Sequence, residues 1–583
     1  MKRAASTKWK IAAICVAAIG LVVLVGVDFR TLGNAGPMPR PIDFERDDFM
    51  IFSGDYEAQL ADGFRPRSDV RPLGISPPVD WNMDPFDDRN WRFQLHSWRM
   101  LNPIWAQWYG RDWERLQAEI MPWIQDWYDY HVNRGNASDF EWYDMAAGYR
   151  AQHLAMLLQL QRQGLIKLNP RQSMELAELA RLHVEKLRDP EYITHGNHAI
   201  IQLHGLRLLC LAWLDQACRG EEAYTAKLMQ RLLDTQFGEQ GVHTENSPGY
   251  HLFALSKFSS LRPELYPPIA EEFDRVLNEA RDVAPWFTRP DGSISAMGDS
   301  AGSGARFPPA AVPDCTTTTP AGTCVISRDL TAGGYAIIRS APGAKRSTAS
   351  MLIVGGASVP PGSHDHADEL GFELFEAGRL LFSDAGKYSY NKDAWRNYFI
   401  SDRAHNVVGI QGRAFAPHET LTRGSMLERM GVDGNIYVVE GYVERADGFT
   451  HRRVFRYQPS ESLVVSDEVD VPDGVAPVSY WHFAADLDVE ESGGNIQIFD
   501  NDVAIATMAL VEGNCEAVVV KGRGGDWIQG WISESYLRKV PAAVVEYRCA
   551  EGVTRIVTRI DFVHTGGAKA VASAKPSAKG DLH

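Results

Sequence analysis

Seven cysteines in 583 residues are too few for a disulfide-built scaffold, and none falls in a Cys-x-x-Cys pair, so the motifs that rest on such pairs are excluded. Cys315 and Cys324 bracket a Thr-rich stretch and are spaced to close a small loop in an oxidising compartment. Cys515 and Cys549 are candidates to bridge neighbouring strands, while Cys210 and Cys218 read as buried helix residues. Positive charge is short as well. With 59 Lys and Arg against 75 Asp and Glu the net charge is −16, which repels phosphate backbones and argues against nucleic acid as a partner. A polyanionic substrate would need a local basic cleft, for which Arg99, Arg150, Arg396 and Arg403 are candidates. No internal sequence repeat is visible, and no carboxylate pair stands in a setting that demands the acid and base roles of a glycosidase.

What the chain has first is an N-terminal address. Lys2, Arg3, Lys8 and Lys10 precede an uncharged run from Ile11 to Val27 that stops at Asp28. Seventeen residues exceed the usual signal-peptide core of about 7 to 15 and reach the lower limit of about 17 for a spanning helix. Asp28 and Arg30 separate the run from the small-x-small site at Gly33 to Ala35, which favours an uncleaved inner-membrane anchor over a cleaved secretion signal. The basic flank stays inside, so residues beyond about 30 are expected in the periplasm or outside the cell.

Behind residues 1–35, the stretch 36–80 carries Pro, Asp and Arg without a sustained period and reads as an extended lead-in on the surface of the helical region after it. From Trp81 aromatics crowd the chain and helical spacing takes over. Asn169 and Pro170 form an N-cap and first-turn pair, and Ala177, Ala180, Val184 and Leu187 keep the helical period. Met145 to Gln161, His198 to Ala217, Thr225 to Thr235 and Ile269 to Ala280 behave similarly, so 81–310 is predicted all-helical. After a Gly-, Pro- and Thr-rich connection, 325–565 consists of short β-branched and aromatic runs, among them a hairpin from Phe372 to Phe382 folded over Ala377-Gly378. Many strands without intervening helices mean packed antiparallel sheets. Residues 566–583 have the composition of a disordered tail.

Four polar clusters could carry chemistry. Thr194-His195-Gly196-Asn197-His198 opens a helix, where free backbone donors suit an anion; alternatively Asn197 is only a cap and His198 a satisfied core residue. His243 to His251 is a polar turn with Tyr250 at a helix entrance, placed either to move a proton or merely to pack. In Ser363-His364-Asp365-His366-Ala367-Asp368, an extended strand would put both rings on one face, and Asp384, returned by the hairpin, with His405 from the fourth cluster, Arg403-Ala404-His405-Asn406, would complete a metal site of zinc type.

Together these segments resemble the heparinase II/III family of polysaccharide lyases. The likeness lies in NWRFQL, Trp142 to Arg150, Asn197-His198, Glu245 to His251, DGSISAMGDS, the block from His364 to Tyr390, and Arg403 to Asn406. It implies an α+β multidomain fold, an incomplete (α/α) toroid followed by a C-terminal antiparallel β-sandwich domain. It also implies β-elimination at a uronic acid in a polysaccharide or oligosaccharide. Asn197 would neutralise the carboxylate together with His364, Tyr250 would act as acid and as base on its own face, and His198 as base on the other. Glu245, Arg150, Tyr388, Tyr390 and Arg403 would bind substrate, and His366, Asp384 and His405 would hold a structural Zn2+. The same likeness leaves room for a homodimer. Two rivals are a uronyl C5-epimerase on this fold and a non-catalytic glycan-binding factor of exopolysaccharide assembly.

Overall fold

A computed structural model describes residues 36–40, 42, 44–300, 314–358 and 364–563. The expected leader and the tail beyond residue 563 lie outside them. Among the described residues no helix is long and apolar enough to cross a membrane.

The N-terminal half is helical, as expected, and Asp55, Asp88, Asp112, Asn169 and Ser247 each cap the start of one of its helices with their side chains. Helices α1 (Tyr56–Asp62), α2 (Arg89–His96), α3 (Asn102–Trp108) and α4 (Trp113–Tyr128) precede α5 (Asp144–Arg162), α6 (Pro170–Leu187), α7 (Asn197–Trp213) and α8 (Glu221–Gln236). Then come α9 (Pro248–Ser259) and α10 (Ala270–Val283). Asn169 and Gln172 form a reciprocal capping box around Pro170 at the start of α6. On α10 the apolar stripe of Phe273, Val276, Leu277, Ala280 and Val283 is the buried face.

Helices α5 and α7 are buried almost all round and run together through the core. Gly148 and Gly205 make that approach possible. A Cβ on Gly205 would stand 2.3 Å from the Gly148 carbonyl oxygen, and one on Gly148 would stand 2.5 Å from the Ile201 oxygen. This contact holds α7 close against α5, whose first residue, Asp144, bonds His198.

Three antiparallel sheets account for most of the second half. A six-stranded sheet runs from Thr317–Thr318 at one edge to the hairpin Phe372–Glu376 and Arg379–Phe382 at the other. An eight-stranded sheet has Ser462–Asp470 beside Arg555–Phe562 near its middle, and a four-stranded sheet contains Cys515–Lys521, Ala543–Cys549, Pro477–His482 and Val408–Ile410. Inward residues alternate along the strands, as in Thr450–Gln458, and converge on a core around Phe372, Phe455 and Trp481.

A separate apolar cluster joins the halves: Val242, Val283, Trp286 and Phe287 from the helical side pack with Ile326, Tyr335, Ile337 and Ile353 from the sheet side. Buried Arg289 ties the same joint electrostatically by pairing with Glu373, whose Oε1 also accepts from the Ala296 and Asp384 amides.

Two of the expectations need correction. The stretch 36–80 does not simply lie on the surface. Phe44, Phe49 and Ile51 are core residues, Asp48 takes Arg262 on its carboxylate, and its carbonyl bonds His204, which anchors the segment by polar groups that carry no periodic signal. Cys210 and Cys218 are buried, but they form a disulfide. Leu214, in the left-handed conformation, ends α7, so Cys218 returns in the following turn instead of continuing the helix. The Cys315–Cys324 and Cys515–Cys549 bridges form as expected, the latter between directly paired strand residues.

Candidate active site

Asn197 is the first residue of α7, after Gly196 in a positive-φ cap. Its Oδ1 is buried and without a hydrogen-bond partner. His198 follows with its side chain 42% exposed, and its Nδ1 lies 2.8 Å from Asp144 Oδ2 at the start of α5. A carboxylate only accepts, so Nδ1 carries a proton and Nε2 is the ring nitrogen that faces away from Asp144. No local signal in the sequence marks Asp144, although it lies inside the Trp142 to Arg150 stretch.

Tyr250 stands on the first turn of α9, where Ser247 caps the helix by accepting from the Tyr250 amide. Its hydroxyl is 2.8 Å from that of Tyr390, and its ring stacks on His364 with centroids 3.6 Å apart. Burial pushes the Tyr250 hydroxyl up to about 12, against the bond from Tyr390, so it is protonated at neutral pH. Burial, with Asp299 nearby, also raises Tyr390.

His364 and His366 come from an irregular segment rather than the expected strand, and what aligns them is Asp299. Its carboxylate accepts from His364 Nδ1 at 2.7 Å, from His366 Nε2 at 2.8 Å and from Arg396 at 2.6 and 3.1 Å. Burial alone would raise this acid, but the bonds from His364, His366 and Arg396 outweigh it and hold it well below the usual carboxylate range. Asp299 is thus the permanent anion that organises the site. It sits in the DGSISAMGDS stretch, yet nothing local in the sequence distinguishes it from a turn aspartate. Glu245 completes the cluster: Oε2 is 3.8 Å from His364 Nε2 and has no hydrogen-bond partner, while Oε1 lies 4.0 Å from where a Cβ on Gly196 would stand. Burial raises its carboxyl.

The site therefore lies where both halves meet, with Asn197, Glu245, Tyr250 and Asp299 from one side and His364, Tyr390 and Arg396 from the other. Profiles of the heparinase II/III N-terminus and of the heparinase II/III-like C-terminal region match residues 57–305 and 326–561. The chain belongs to the heparinase II/III family. Heparinase II/III-like lyases are polysaccharide lyases, and this chain is one of them. Heparan sulfate lyase HepC from Pedobacter heparinus superposes with a TM-score of 0.63 at 16% identity, covering 93% of this chain and 88% of that one. A heparinase III structure gives 0.65 at 16% identity, with 92% and 88% covered. These likenesses establish the helical-plus-β-sandwich fold. No curated protein matches by sequence.

Three expected sugar contacts of this lyase have other surroundings. Arg150 is fully buried, donates to His183 and to the His96 and Glu141 carbonyls, and sits over the Trp127 ring; burial lowers it to about 10. It is a core cation, chosen by an aromatic cage that its sequence context does not reveal. Arg403 is 8% exposed and stacks on Trp527 at 3.9 Å, with the Tyr398 ring 5.9 Å away. Tyr388 is buried against Phe399 and accepts from Lys539. Strand alternation would have put Tyr388 and Tyr390 on one face; the left-handed backbone at Tyr388 breaks that alternation, and only Tyr390 reaches the site. Of the four arginines proposed for a basic lining, Arg396 is in the site, and Arg99 stacks on Tyr149.

A second buried cluster lies behind His364. Ligand atoms of His366, Asp368 and His405 fall within 4.8 Å of one another. His366 Nδ1 and His405 Nε2 are buried without partners, while their other ring nitrogens are engaged by Asp299 and Asp384. Two unpartnered imidazole nitrogens beside a carboxylate fit a metal ion. Asp384, expected as the third ligand, accepts from His405 Nδ1 at 2.7 Å, so here the carboxylate facing the two free nitrogens is that of Asp368.

Proposed function

We propose that this lyase cleaves a uronate-containing glycan by β-elimination, leaving a 4,5-unsaturated uronate at the new non-reducing end. The single observation that carries the reading is the pairing of the Tyr250 and Tyr390 hydroxyls beside the stacked His364 ring. A tyrosine held protonated by burial is suited to give its proton to the O4 leaving oxygen. The C5 proton becomes removable only when charge building on the uronate carboxylate is stabilised. Asn197 supplies an amide at a helix start for that purpose, and His364, fixed by Asp299, supplies a second donor from its Nε2 when protonated. Where the C5 proton shares a face with O4, the minor phenolate form of Tyr250, which Arg396 favours, takes that proton and passes it on to O4. His198, its proton fixed on the Asp144 side, offers Nε2 for a proton on the opposite face.

The buried His366, Asp368 and His405 set, with Asp384 behind His405, suits zinc in a bracing role. When bound, such an ion would fix the two imidazoles and, through the Asp299 bridge from His366, the orientation of His364. The N-terminal basic and apolar run supports a periplasmic location with the chain anchored in the inner membrane.

The test is ultraviolet absorbance during incubation with alginate, glucuronan, hyaluronan, heparan sulfate and gellan-type polymers. A rise on at least one polymer that Tyr250→Phe abolishes is the expected result. No rise on any of them would overturn the proposal, and solvent deuterium entering C5 without chain cleavage would replace it by epimerisation.

A further inference from the structure

The sequence holds 24 Phe, 20 Tyr and 16 Trp, and almost all of those described are buried or half-buried. Among the described residues only three aromatic side chains are exposed: Phe253 at 45%, Tyr390 at 46% and Tyr536 at 47%. They are not scattered. Phe253 lies one helical turn beyond Tyr250 on α9, with ring centroids 5.9 Å apart. Tyr250 stacks on His364, His364 stands 5.8 Å from Tyr390, and Tyr390 stands 6.3 Å from Tyr536. The three exposed rings are therefore the first, fourth and fifth members of one row of neighbouring rings, with Tyr250 and His364 standing between Phe253 and Tyr390.

Each end is built on a different half of the molecule. Phe253 is fixed by the helix that carries Tyr250. Tyr536 sits at the tip of a hairpin formed by Trp531–Ser535 and Arg538–Pro541. That hairpin is docked on the segment bearing Tyr390, since the Ser533 amide donates to the Ala385 carbonyl and the Leu537 amide to the Tyr388 carbonyl. Cations accompany the row. Lys257 lies 5.4 Å from the Phe253 ring centroid, Lys387 5.3 Å from that of Tyr390, and Lys539 donates to the Tyr388 hydroxyl beneath the hairpin. In a chain of net charge −16, these are the local positive charges that an anionic ligand would require.

We propose that Phe253 and Tyr536 are sugar-stacking platforms on opposite sides of the cleavage point, so that the enzyme binds an internal stretch of an acidic polysaccharide and cuts it endolytically. The inference rests on the lyase reading and deepens it. A pyranose presents a face of C–H groups that covers an aromatic ring, while its carboxylate seeks an ammonium group; a row of rings with lysines alongside matches both features of a polyuronate at once. An exo-acting site would need a wall beyond one end of the row, whereas among the described residues both terminal rings are exposed.

Binding and turnover are tested separately. In the Tyr250→Phe background, affinity electrophoresis through gels containing alginate, glucuronan, hyaluronan or heparan sulfate should retard the protein with at least one polymer. Adding Phe253→Ala or Tyr536→Ala should remove most of that retardation, and Tyr536→Phe, which keeps the stacking face, should restore it. Retardation by no polymer, or retardation indifferent to both alanines, overturns the platforms even if the enzyme turns over. With Tyr250 intact, each alanine variant should raise KM on the cleaved polymer about tenfold with kcat within about twofold. Solution viscosity should collapse while absorbance has barely risen; steady release of the shortest product at nearly constant viscosity overturns endolytic cleavage.

Discussion

At the residue scale the site is a set of proton positions fixed by carboxylates. Asp144 and Asp299 each hold the Nδ1 of a histidine, His198 and His364, and so determine which nitrogen of each faces outward. Asp144→Asn tests this directly. An amide can donate as well as accept, so the His198 tautomer is no longer fixed. If His198 removes the substrate proton, kcat should fall by about 10²-fold, within the range for a mispositioned general base. Stability should scarcely change, because a partly exposed pair of this kind contributes about 0–1 kcal/mol. Steady-state kinetics with a melting curve checks both, and an unchanged kcat would move the base role to Tyr250 alone.

At the scale of elements, the close contact of α5 and α7 presents two of the reacting residues. Gly205→Ala would drive a methyl into the Gly148 carbonyl, and overpacking of this kind costs about 1–3 kcal/mol. A melting temperature lower by several degrees is expected, together with a lower kcat because the start of α7 shifts relative to Asp144. In the sheets, Glu376 is buried at the Phe372–Glu376 hairpin end and accepts from the Tyr457 hydroxyl; burial raises its carboxyl to about 7 from an ordinary 4.5. The folded chain therefore holds this proton when the unfolded chain has lost it. Stability from this group is greatest below about 4.5, falls as pH rises towards 7, and is then lower by about 3 kcal/mol. Glu376→Gln should accordingly stabilise the protein at pH 8 and leave it unchanged at pH 4, measured by urea denaturation at both values. A destabilised variant at pH 8 would mean that an ionised carboxylate is favoured there.

At the scale of the whole molecule, the two halves meet at an apolar joint and at Glu373, which bonds residues of both sides, so the site depends on the relative placement of the domains. The candidate metal cluster lies close behind that meeting point. Metal analysis of the purified protein should find about one zinc per chain. Its removal by a strong chelator should lower the melting temperature by several degrees and reduce turnover, with both restored by added zinc. His405→Ala should show the same losses without restoration. Full turnover and an unchanged melting temperature in metal-free protein would dismiss the bracing role.

The order of helices before strands, most helix starts, the three polar clusters that meet in the site and Arg396 as one cation for it are all legible in the sequence. These are local properties: caps, periods and runs of polar residues are written in neighbouring positions. Tertiary structure alone decided the rest. Asp144, Asp299 and Asp368 act through partners far away in the chain, and a carboxylate in a turn carries no mark of which histidine it will meet. Arg150, expected to touch sugar, disappears into a tryptophan cage, and Tyr388 turns inward while Tyr390 faces out. Burial and backbone handedness depend on what packs against a residue, which is a property of the folded chain and not of its neighbours in sequence.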